Sequence, residues 1–79
     1  MPYFTYIVRC SDGTLYTGWT DDVEKRLDAH NKGIGSKYTR ARLPVTMVYC
    51  EESASKSEAM QRERAIKKMP RSDKLKLFT

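Results

Sequence analysis

Two phenols, a guanidinium, an imidazole and one distant carboxylate give this chain its chemistry. Tyr6, Tyr16, Arg26 and His30 lie early in the sequence, Gly18 stands just beyond the second phenol, and Glu63 falls on a segment of helical period far downstream. Such groups can together move a proton, steady a phosphate and hold a divalent metal, which are the parts of phosphodiester hydrolysis. The set points to a small nuclease, provided that the elements carrying its members converge.

The two tyrosines must be placed by a hairpin. Tyr3 to Cys10 and Thr14 to Thr20 are both rich in aromatic and β-branched residues, and Ser11-Asp12-Gly13 lies between them. A two-residue turn at Asp12-Gly13 would pair Arg9 with Tyr16 and send the phenols to opposite faces. A three-residue loop, with Gly13 in the left-handed conformation, pairs Cys10 with Thr14, Val8 with Tyr16 and Tyr6 with Gly18, so that the phenols share a face. A common site needs the second register, and that register is expected.

Arg26 and His30 need a helix. Asp21 followed by Glu24 reads as a capping box, and Val23, Leu27 and Ala29 or His30 set the period of a helix over about 22–32, ending near Gly33. Four residues apart, Arg26 and His30 then project from one face. Gly33, Gly35, Ser36 and Lys37-Tyr38-Thr39-Arg40 read as a loop able to wrap a phosphate backbone, closed by Pro44 before a third strand from Val45 to Glu51. Ser55 with Glu58 starts a second helix that runs to about Met69, where Pro70 stops it. Glu63 lies in the apolar stripe of Ala59, Met60 and Ile66, where a carboxylate needs a partner. An Arg or Lys, a slight rotation toward solvent, or a metal ion would each answer that need. Arg71 to Phe78 reads as a short last helix, with Leu75 and Phe78 packed onto the sheet.

A chain of 79 residues and 9.2 kDa makes a single domain over 1–79 with one modest core. It has no apolar run near the roughly 20 residues that cross a bilayer and no basic-then-apolar leader, so a cytoplasmic protein without membrane association is expected. Cys10 and Cys50 lie in apolar stretches without zinc-site spacing and are expected to be buried free thiols. Fifteen Lys and Arg against ten Asp and Glu give a net charge of +5, and the excess is clustered. Lys32, Lys37, Arg40 and Arg42 occupy an acid-free stretch, and Arg62, Arg64, Lys67, Lys68, Arg71, Lys74 and Lys76 crowd the end, a pattern suited to a polyanion. Taken singly, each candidate has an ordinary reading: tyrosines pack in strands, Arg26 pairs with Asp22, His30 caps its helix, Gly18 marks a bulge and basic helices are solvated. Their expected arrangement on one face is what sets them apart.

These residues resemble the GIY-YIG nuclease superfamily, whose two strand motifs read here as Phe4-Thr5-Tyr6 and Tyr16-Thr17-Gly18. The resemblance continues through Arg26, His30, Lys37-Tyr38-Thr39 and Pro44-Val45 to Glu63 and covers nearly the whole chain. It is similar above all to small stand-alone bacterial-type members, related to the nuclease domain of branched-DNA endonucleases. The resemblance implies an α+β fold, a three-stranded antiparallel sheet flanked by helices. It also implies one Mg²⁺ or Mn²⁺ ion held by Glu63, with Tyr16 or Tyr6 deprotonating or orienting water, Arg26 and His30 on the scissile phosphate, and Gly18 structural in the site. A phenol of ordinary pKa near 10 is a poor base at neutral pH and would need its phenolate stabilised.

Lys37, Tyr38, Arg40 and Lys67 are the expected nucleic-acid contacts. Two departures stand out: Phe4-Thr5 replaces Gly-Ile, and Met69-Pro70-Arg71-Ser72 lacks the asparagine many relatives carry there. The expected function is a metal-dependent DNA endonuclease of repair or recombination, selective for branched or single-stranded substrates, with a protein partner supplying targeting. The alternatives are a non-catalytic nucleic-acid-binding module of the same fold and a protein-interaction module.

Overall fold

The computed structural model describes residues 2–79. Along the chain lie β1 (Tyr3–Arg9), β2 (Leu15–Thr20), α1 (Val23–Asn31), α2 (Lys37–Arg40), β3 (Thr46–Ser53), α3 (Lys56–Lys67) and α4 (Arg71–Leu75). The strands form one antiparallel sheet in the order β2-β1-β3, so the first strand is central. This is the α+β architecture expected from the sequence.

The β1–β2 hairpin adopts the three-residue loop. Gly13 has φ of 85°, its N–H bonds to the Cys10 carbonyl at 3.0 Å, and the Cys10 N–H bonds to Thr14 at 2.8 Å. Val8 therefore pairs with Tyr16, and Tyr6 with Gly18. Because side chains alternate along a strand, this register sends Tyr6 and Tyr16 to the same face.

Helices cover both faces of the central strand, and Thr5, Tyr6, Ile7 and Val8 are all buried. Thr5 donates to the Ala59 carbonyl of α3 at 2.9 Å, whereas Tyr6 turns to α1. The α1 side holds Tyr6, Val8, Cys10 and Val45, packed with Tyr16, Leu27, Leu43 and Met47. Ala59 and Ile66 are buried on the other side.

Several local expectations need correction. The cap of α1 is Asp22, whose carboxylate accepts from Lys25 N–H at 3.0 Å, so Asp21 and Glu24 form no capping box. At α3, Ser55 does cap Glu58 N–H at 3.2 Å, and Glu58 answers by accepting from Ala54 N–H at 3.1 Å. Lys37 to Arg40 form a helical turn rather than a loop, because Ser36 caps Thr39 N–H at 3.1 Å. The third strand is set back, from Thr46 to Ser53, and α4 ends at Leu75. Cys10 is a buried free thiol, but Cys50 is exposed because β3 is an edge strand. Among the described residues no helix is long and apolar enough to cross a membrane.

Candidate active site

Tyr6 is the hub. Its position on the central strand buries it completely, and its hydroxyl accepts from Arg26 Nε–H at 3.2 Å and lies 2.8 Å from His30 Nε2. Both partners come from one face of α1, as their spacing predicted. Arg26 also donates from Nη2 to the Gly35 carbonyl at 2.9 Å and makes no pair with Asp22. His30 is fully buried, with Nδ1 2.8 Å from Thr39 Oγ1. Among the described residues no buried side-chain nitrogen or oxygen lacks a partner, so the polar cluster is internally satisfied.

Gly18 provides clearance. A Cβ there would sit 2.5 Å from the Tyr6 hydroxyl oxygen, so any larger residue must displace the phenol. Gly35 does the same for the imidazole, where a Cβ would collide with the His30 ring and lie 2.8 Å from its Cα. Sequence reasoning found Gly18 but missed Gly35, since only the packing of α2 against α1 brings that backbone to the ring.

Tyr16 occupies a different environment. It meets His30 edge-on at a centroid distance of 5.4 Å and stacks on Tyr38 at 5.8 Å, but remains partly exposed. The Arg42 guanidinium lies 4.0 Å from the Tyr38 ring centroid and also binds the Tyr38 carbonyl and Asp12.

A cavity of about 340 Å³ opens between the hairpin, α1 and α3, lined by Tyr6, Tyr16, Gly18, Trp19, Thr20, Asp21, Arg26 and Glu63. Glu63 arrives from α3 with its side chain 19% exposed and pairs with Lys67 at 3.6 Å. Lys67 Nζ also lies 5.9 Å from the Tyr16 ring centroid, so this exposed lysine stands between phenol and carboxylate. Both phenols, Arg26, Gly18 and Glu63 thus share one cavity. His30 stands behind Tyr6 rather than on the wall, with both ring nitrogens engaged. Lys37 and Arg40 are exposed on α2, and Tyr38 is 37% exposed. Trp19 was not singled out from sequence and Asp21 was read only as a helix cap, because nothing local distinguishes a strand tryptophan or a pre-helix aspartate as a cavity residue.

Burial raises the Tyr6 pKa above its ordinary value of 10.0, with the Arg26 hydrogen bond opposing it. Burial, then the Arg26 charge, lowers His30 below 6.5. The hydrogen bond to Tyr6 raises Arg26. Near neutral pH the cluster therefore contains a phenol, an uncharged imidazole and a guanidinium. Among the described residues no three His, Cys, Asp or Glu side chains gather into a metal cage. The Glu63 carboxylate on the cavity wall does fit a hard cation that keeps most of its waters and shares the rest of its sphere with a phosphate, the habit of Mg²⁺ and Mn²⁺.

A family model described as the GIY-YIG catalytic domain matches residues 2–76. The chain is 55% identical over 75 residues to the UPF0213 protein SAG0778 of Streptococcus agalactiae, spanning 95% of this chain and 85% of that protein. It is 53% identical over 76 residues to the UPF0213 protein VNG_2274C of Halobacterium salinarum, spanning 96% of this chain and 99% of the other. The solution NMR structure of the UPF0213 protein BH0048 from Bacillus halodurans matches with a TM-score of 0.62 at 43% identity, covering 98% of this chain and 82% of that one.

Proposed function

The chain belongs to the GIY-YIG catalytic domain family, a nuclease superfamily, and from that premise we propose that it is a divalent-metal-dependent endonuclease hydrolysing DNA phosphodiester bonds. One observation carries the reading: Tyr16, Arg26 and Glu63, from three separate elements, line a single cavity.

The geometry distinguishes the two phenols. Tyr6 is buried and bonded to Arg26 and His30, and its raised pKa suits a fixed phenol. Tyr16 is partly exposed at the cavity and is the phenol assigned to orient or deprotonate the attacking water. Arg26 is locked by Tyr6 and the Gly35 carbonyl, which leaves most of its N–H donors for the scissile phosphate and the charge that develops there. His30 acts on that phosphate through Tyr6 rather than by direct contact. Glu63 would hold one Mg²⁺ or Mn²⁺ ion, which when bound supplies charge stabilisation at the phosphate and leaving oxygen.

Lys67 at the rim, with Lys37, Tyr38 and Arg40 on α2, supplies contacts to the flanking backbone. Backbone contacts of this kind position a nucleic acid without reading its bases, and the proposed selection of this single domain over 1–79 is therefore by substrate shape, in branched or single-stranded DNA. Repair or recombination in the cytoplasm is the proposed setting, with a protein partner providing targeting.

The test is cleavage of single-stranded, duplex and branched DNA and of single-stranded RNA, with Mg²⁺ or Mn²⁺, by wild type, Glu63→Ala and Tyr16→Phe. Metal-dependent cleavage lost in both variants is the expected result, with binding retained in Glu63→Ala. Cleavage that survives both substitutions would remove these residues from the site. Salt-sensitive binding without cleavage in any chain would leave a non-catalytic nucleic-acid-binding module.

A further inference from the structure

The α2 segment was expected to be a phosphate-wrapping loop, yet its one fully buried side chain turns inward. Ser36 caps the turn, leaving Lys37, Tyr38 and Arg40 exposed and Thr39 against His30. Thr39 Oγ1 is 2.8 Å from His30 Nδ1, 2.9 Å from Ser36 Oγ and 3.4 Å from the Ser36 carbonyl.

We infer that Thr39 is a positioning residue: by accepting the Nδ1–H of His30 it fixes the imidazole tautomer whose bare Nε2 accepts the Tyr6 hydroxyl proton. The inference rests on the proposed nuclease reading only for its effect on turnover.

Tyr6 has one O–H and already accepts Arg26 Nε–H. If His30 carried its proton on Nε2, two N–H groups would converge on the phenol oxygen, and the phenolic hydrogen would need another acceptor. With the proton on Nδ1, Thr39 accepts it and donates its own hydroxyl hydrogen to the Ser36 carbonyl at 3.4 Å, while the Ser36 hydroxyl donates to Thr39 Oγ1 at 2.9 Å. Every donor then has an acceptor, in the order Arg26, Tyr6, His30, Thr39, Ser36. A buried imidazole takes its tautomer from the bond at its other nitrogen. Gly35 closes the arrangement, because its backbone lies against the ring with no space for even a Cβ between them. Thr39 thereby holds the Tyr6 oxygen as an acceptor, which keeps Arg26 aimed at the cavity.

The chain has a single histidine, so long-range ¹H–¹⁵N spectra of the full protein near neutral pH report His30 without ambiguity. The expected wild-type spectrum shows a protonated Nδ1 and a bare Nε2. Thr39→Val, which keeps the shape and removes the acceptor, should shift the ring toward the Nε2–H form, and Thr39→Ser should restore the wild-type pattern. In cleavage assays Thr39→Val should lower kcat by about 10-fold or more with KM little changed, as loss of an orienting partner does elsewhere, again with rescue by serine. A wild-type ring protonated on Nε2, or a tautomer unmoved in Thr39→Val, overturns the inference. The wild-type spectrum decides even if Thr39→Val is too unstable to study. Absence of cleavage in every chain would count against the nuclease reading while leaving the tautomer result intact.

Discussion

Tyr6 and Tyr16 are the same group in different surroundings, and substitution should separate them. Tyr16→Phe removes a hydroxyl at the cavity and should reduce cleavage about 100-fold or more, the usual scale for an acid–base group, with little change in melting temperature. Tyr6→Phe strips a buried partner from both Arg26 and His30 and should cost about 1–3 kcal/mol in denaturant unfolding. If the losses were reversed, the division of labour would be wrong. Acid should expose the His30 environment. Its folded-state pKa lies below 6.5, so as pH falls through 6.5 the unfolded chain takes up a proton that the folded chain refuses. That contribution to stability is full above 6.5 and declines in acid until the folded value is passed. Tyr6 has the opposite limb: with its folded value above 10.0, stability declines as pH rises through 10.0. Chemical unfolding across pH checks both signs, and an acid limb that disappears in His30→Gln assigns it.

At the scale of elements, the site is held by α1 and α2 acting together. Arg26 and His30 leave α1 one turn apart, and each is received by the segment that follows, Arg26 by the Gly35 carbonyl and His30 by Thr39. Gly35 permits the approach. Gly35→Ala should push α2 from α1, destabilise the fold by about 1–3 kcal/mol as overpacking does, and weaken cleavage by loosening Arg26. Thermal melts with single-turnover kinetics check this, and an unperturbed variant would mean that the approach is less tight than described. Glu63 shows the same dependence between elements, because α3 packs on the β1–β2 hairpin on the face opposite α1 yet delivers its carboxylate into a cavity that α1 also lines.

For the whole molecule, a net charge of +5 with exposed Lys37, Arg40 and Lys67 predicts binding that weakens with salt. The logarithm of affinity should fall linearly with that of salt concentration, with a slope of about −0.9 per phosphate contact on duplex and −0.7 on single strands. Lys37→Ala and Arg40→Ala should each flatten the slope by about 1 unit without altering substrate preference. Fluorescence anisotropy titrations at several salt concentrations measure this, and a slope unchanged in both variants would take α2 out of the nucleic-acid surface.

What the sequence determined by itself was local: a hairpin turning at Ser11-Asp12-Gly13, though its register was chosen by the demands of a shared site, the strand that follows Pro44, the Ser55 cap, and the offset that puts Arg26 and His30 on one helix face. Each depends on turn chemistry, capping or periodicity within a few residues, and each is found in the fold. The α1 start slipped by one residue because two adjacent aspartates offer the same cap chemistry, and only backbone geometry chooses Asp22. Tertiary structure alone decided which of the two cavity phenols is fully buried and which is partly exposed, why Gly35 must be small, that Thr39 supports His30, and that Cys50 is exposed on an edge strand. Those properties follow from which element covers which. They are set by contacts between distant residues, such as Tyr6 with His30 or Thr5 with Ala59, to which no window of sequence has access.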